Sequence, residues 1–145
     1  MQTLIPIVIV GLLSGVAVGL QSPLASMITQ RLGMLESIFI VHIGGALVIL
    51  IPLVFLRGGN LGNWRSLPWY ALAAGTMGLI VVGGVSFLIP RIGVAASITL
   101  IIAGQLVISS TLDHYGLLGV HIRHMDMQRA FGLLVVFVGA LLTVR

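Results

Sequence analysis

Five long apolar runs limit this chain, more than any other feature, to one kind of solvent. Residues 4–29, 37–56, 68–89, 94–112 and 128–144 carry almost no charge, and their apolar residues fall on every side of a helix instead of along one stripe. About 20 such residues at ~1.5 Å each cross the ~30 Å hydrocarbon core of a bilayer. The composition agrees, with 59% hydrophobic and 7% charged residues among 145 and a mean hydropathy of +1.22. A soluble domain is excluded. So is an outer-membrane barrel, whose spans are segments of about ten residues with alternating polarity. The expected fold class is an all-α integral membrane protein, one transmembrane domain of five helices over residues 1–145.

The connections fit that reading. Residues 31–36 form a tight link. Residues 57–65, Arg-Gly-Gly-Asn-Leu-Gly-Asn-Trp-Arg, form a glycine- and asparagine-rich turn, and Pro68 sits where a first helical turn tolerates proline. Trp64, Trp69 and Tyr70 suit the headgroup region, as does Arg91 beside Pro90. The first run has no Lys or Arg ahead of it and is too long for a signal h-region, so it is read as a retained span. Within it, Gly11, Gly15 and Gly19 lie on nearly one face and are expected to pack closely against another helix. Pro23 is expected to kink or break the same helix, and Pro90 and Gly93 to mark a second break.

Seven arginines, three acids and no lysine leave a net charge of +4, spread singly between apolar runs and not gathered as a nucleic-acid patch. Five spans put Arg57, Arg65, Arg123 and Arg129 on one side and Arg31, Arg91 and Arg145 on the other. Four against three gives the positive-inside rule almost nothing to act on. Dual topology is therefore expected, with an antiparallel homodimer supplying ten spans. A parallel dimer, a single orientation and a heterodimer with a paralogous chain stay open. With no cysteine there is no disulfide framework and no thiol chemistry.

Taken together, Leu20-Gln21-Ser22-Pro23, Pro68-Trp69, Ile89-Pro90-Arg91-Ile92-Gly93, Ala103-Gly104-Gln105-Leu106, Asp113-His114-Tyr115-Gly116 and Gln128-Arg129 resemble, in order and spacing, the YdcZ-like small inner-membrane proteins of the drug/metabolite transporter superfamily. The resemblance covers essentially the whole chain. One departure is Ala25, where such proteins often carry asparagine two residues after the proline. The resemblance implies a five-helix half-transporter, similar to one half of the ten-helix members, moving a small metabolite or drug-like solute across the cell membrane.

Polar side chains inside spans are the candidates for chemistry, because hydrocarbon makes them costly. Gln105, Ser109 and Asp113 are spaced by four, about 40° apart in projection, and make a slowly winding stripe from mid-span to the helix end. Gln105 either lines a pathway or bonds across helices as glue. Asp113, at the span's end, is read as interfacial or capping. Gln21 precedes Pro23, which deprives the Gly19 carbonyl of its helical donor. Either unwound backbone there meets a solute, as in discontinuous transporter helices, or Ser22 or Ser26 satisfies the carbonyl. Glu36 opens the second span, as a helix-dipole partner or as a proton or cation site. His42 is a packing residue or a proton-coupling group.

The His121, His124 and Asp126 group is a weak metal pattern and no metal is expected. No catalytic triad, phosphate loop or cofactor motif is present, so an enzyme is not expected. The leading expectation is a secondary transporter whose substrate pathway is bordered by Gln21, Glu36, His42, Gln105 and Ser109. An uncoupled pore and a non-transporting scaffold are the alternatives.

Overall fold

Helices form wherever the apolar runs lie, because in hydrocarbon a backbone can satisfy its N–H and C=O groups only within its own segment. The structure is a computed structural model, and it describes residues 4–144; Arg145 lies outside the described residues. Its helices are α1 (Leu4–Leu32), α2 (Met34–Phe55), α3 (Trp69–Leu72), α4 (Ala74–Tyr115) and α5 (Met127–Val144), with 3-10 turns at Leu61–Ser66 and Leu117–Gly119. Among the described residues there is no strand. α1, α2 and α5, together with the 47-residue stretch Trp69–Tyr115, are long and apolar enough to cross a membrane.

That fourth stretch is not one straight rod. Gly93 has φ 81° and ψ 171°, outside helical space, and divides α4 into a segment before it and a segment after it. Only glycine occupies this region readily. The break sits at Gly93 and not at Pro90, which is inside helical structure. The break expected at Pro23 is absent as well, since α1 stays helical from Leu4 to Leu32. Proline removes one hydrogen bond from a helix that keeps all its others, and the nearby Ser22 Oγ donates to the Val18 carbonyl (2.8 Å) instead of to that of Gly19. Ser26 accepts from Gln30 Nε2 at 3.3 Å and does not cap Gly19 either.

The chain forms two compact units, Met1–Phe87 and Leu88–Arg145. In the first, Gly33 both ends α1 and starts α2. Its N–H donates to the Thr29 carbonyl (3.0 Å) and its own carbonyl accepts from Ser37 N–H (3.1 Å), while φ 121° and ψ 163° turn the chain. Fully buried Ser37 then ties the helices together, donating through Oγ to the Ala25 carbonyl at 2.8 Å. Small residues, Ser22, Ala25 and Ser26, make the α1 side of this core. They let the backbones approach closely, as membrane helices require in the absence of a hydrophobic drive.

α2 ends in a Schellman turn, with Gly58 N–H on the Leu53 carbonyl (2.8 Å) and Arg57 N–H on that of Val54 (3.0 Å). Arg57, φ 51°, holds the left-handed position that glycine usually fills. The Arg65 guanidinium lies 5.6 Å from the Trp64 ring centroid, and Trp69 meets Tyr70 edge-on at 6.2 Å.

In the second unit, left-handed Gly116 ends α4 and the connection folds back along it. Arg123 N–H donates to the Asp113 carbonyl (2.8 Å), and Met125 N–H to His114 Nδ1 (3.0 Å). Ile122 packs so closely on Gly116 that a Cβ there would lie 2.5 Å from its Cγ1. Asp126 caps α5, its Oδ1 accepting from Arg129 N–H at 2.7 Å.

Candidate functional site: polar groups inside apolar helices

His42 is the one candidate that the first unit builds into its core. Its Nδ1 lies 2.8 Å from the Ile38 carbonyl. A carbonyl only accepts, so Nδ1 carries the proton and a neutral ring keeps its lone pair on Nε2. That nitrogen lies against Gly78 of α4, where a Cβ would come within 2.7 Å. Gly78 is therefore a notch cut for this ring. One turn nearer Gly33, Gly83 receives Met34 and Ile38 in ordinary contact.

Glu36 stands in the first turn of α2, exposed, with its carboxylate folded back over Gly33. Among the described residues it has no hydrogen-bond or ion-pair partner, and the structure does not pair it with His42. Gln21 is exposed on α1 and likewise makes no side-chain bond among the described residues. In the second unit Gln105 and Ser109 are exposed on the later segment of α4, also without a partner, and Asp113 below them is half-buried. The Asp113 backbone carbonyl, not its carboxylate, holds the connection to α5.

Their serine and threonine neighbours behave differently. Ser97, Thr99, Ser110 and Thr111 each donate to the carbonyl four residues back, at 2.6–2.9 Å. Such groups are satisfied inside their own helix, whether exposed like Thr111 or fully buried like Ser97. Gln21, Glu36 and Gln105 make no such bond among the described residues and so stand apart.

Within the first unit, Gly11, Gly15 and Gly19 have nothing within 4 Å of an added Cβ among the described residues. Arg91 is exposed just ahead of the Gly93 break. Trp64 and Trp69 are exposed at the ends of the apolar runs, and His114 and His124 meet ring to ring at 5.5 Å.

Sequence reasoning placed a tight link at residues 31–36, where Gly33 turns the chain, and missed the Ser37 tie and the Asp126 cap.

Long apolar helices joined by aromatic, arginine-bearing turns define a multi-pass helical membrane protein. More particularly, the chain belongs to the family described as "Putative inner membrane exporter, YdcZ", which matches residues 6–142. It is thus a multi-pass protein of the inner membrane, and the family supports a transporter-like, non-enzymatic role. No curated protein and no solved structure gives a significant match.

Proposed function

We propose that the chain is a five-helix half-transporter for a small metabolite or drug-like solute. It acts as a dimer by alternating access, without nucleotide, and couples to protons through Glu36. The observation that carries this reading is the exposure of Gln21, Glu36 and Gln105 on helices whose surroundings are otherwise apolar, with no partner among the described residues. Facing hydrocarbon, each amide would cost roughly 4–8 kcal/mol and the ionised carboxylate far more. Water, a solute or a second chain must meet them. The open face of Gly11, Gly15 and Gly19 offers a second copy a close backbone approach, and the near balance of arginines between the two sides favours an antiparallel pair.

A thermal-shift screen of small solutes on the purified protein tests the reading. A solute that binds only the native state raises Tm by mass action. Its shift should shrink in Gln105→Ala, which deletes a proposed contact while keeping a good helix former. A shift that is the same in Gln21→Ala, Gln105→Ala and the native chain would remove both amides from the site.

A further inference from the structure

Gly33 and Gly93 share a backbone conformation, φ 121° and ψ 163° in one and φ 81° and ψ 171° in the other, that other residues avoid. Each stands two residues after an arginine, Arg31 or Arg91, and four before a Ser-Ile pair, Ser37-Ile38 or Ser97-Ile98. Burial repeats in the same register. Ser22, Ala25 and Ser26 before the first glycine match Val82, Val85 and Ser86 before the second, and all are buried; Ser37 and Ser97 are both 0% exposed. Gly44 matches Gly104 further along. Backbone angles, residue identity and burial coincide at one offset.

We infer that residues 21–49 and 81–109 are two copies of one helix–glycine–helix unit, and that the exposed polar side chains present in only one copy and bonded to nothing among the described residues face water within the membrane. Ser26 with Ser86 and Ser37 with Ser97 are buried in both copies, although Ser37 bonds the Ala25 carbonyl across the turn and Ser97 the Gly93 carbonyl of its own helix. Of the polar residues present in one copy alone, His42, whose counterpart is Ile102, bonds the Ile38 carbonyl, and Gln30, whose counterpart is Pro90, bonds Ser26. Ser22 and Thr99, each found in one copy, bond their own helix. Gln21, Glu36, Gln105 and Ser109 do not, and their counterparts are Val81, Ala96, Gly45 and Ile49. A duplicated unit that keeps its core while placing unpartnered polar groups at exposed positions of one copy has set those positions apart for solvent and solute. The assignment of these positions to a solute pathway rests on the transporter reading; the duplication and the contact with water do not.

The chain has no cysteine, so a single introduced thiol is the only one present. A thiol reacts as its thiolate, which forms in water and not in hydrocarbon. Full-length protein in proteoliposomes, permeabilised so that both faces meet the reagent, is treated with a charged, membrane-impermeant methanethiosulfonate. The matched pairs are Gln105→Cys with Gly45→Cys and Ser109→Cys with Ile49→Cys, all exposed positions whose substitution leaves the buried cores intact. Modification at 105 and 109 should be at least tenfold faster than at 45 and 49. Equal rates within the pairs would overturn the inference. The labelling needs no turnover, so a chain that carries no solute would still show the asymmetry, whereas a working transporter without this layout would move solute yet label evenly.

Discussion

His42 and Gly78 fix one another. The ring is pinned by its bond to the Ile38 carbonyl and its far nitrogen lies where any Cβ at position 78 would intrude. Gly78→Ala should therefore destabilise the protein by about 1–3 kcal/mol, the usual cost of overpacking. In a His42→Ala background the same change should cost nothing. A double-mutant cycle on denaturant unfolding in micelles measures the difference, and additive effects would show that the ring does not occupy the notch. Glu36 sits at the opposite extreme, since its carboxylate holds nothing in place. Glu36→Gln should leave Tm and the proposed dimer unchanged while removing the proposed proton movement linked to solute, read as pH change in vesicles. A Tm drop of many degrees would mean that the residue is structural.

At the scale of elements, the α1–α2 pair depends on the Gly33 turn and the Ser37 tie. Ser37→Ala deletes a buried hydroxyl bond to a carbonyl that has its own helical donor, so a loss of about 1 kcal/mol is expected, visible as a lower unfolding midpoint. Helix existence was legible in the sequence because apolar length alone decides it in a bilayer. Helix interruption was legible in part: the 31–36 link holds the Gly33 turn, and the break expected at Pro90 and Gly93 falls at Gly93. Which residue does the breaking was less legible, since Pro23 carries the familiar signal yet lies in continuous helix, because one missing donor is tolerated when neighbouring groups stay satisfied. Asp126 was similarly hidden. Beside two histidines it reads as a metal pattern, and its capping role emerges only once α5 is seen to begin at Met127. The polar candidates were easy to find, since any Gln, Glu or His inside an apolar run stands out, but their state was not. Sequence spacing could not separate half-buried, hydrogen-bonded His42 from exposed, unpartnered Gln21.

For the whole molecule, we propose association with a second copy, whose backbone can approach Gly11, Gly15 and Gly19 closely. If the pair is antiparallel, accessibility labels on the two termini in sealed inverted vesicles should be reached on both faces in comparable amounts, and a single orientation would leave a parallel pair. The claim on which the rest depends is that unpartnered polar groups in an apolar bundle serve a moving solute. Flux into proteoliposomes of a solute identified by thermal shift tests this most directly. The native chain should accumulate it under an imposed proton gradient, and Glu36→Gln, equally folded and equally dimeric, should not. Vesicles no more permeable than protein-free ones, or accumulation undiminished by Glu36→Gln, would contradict it.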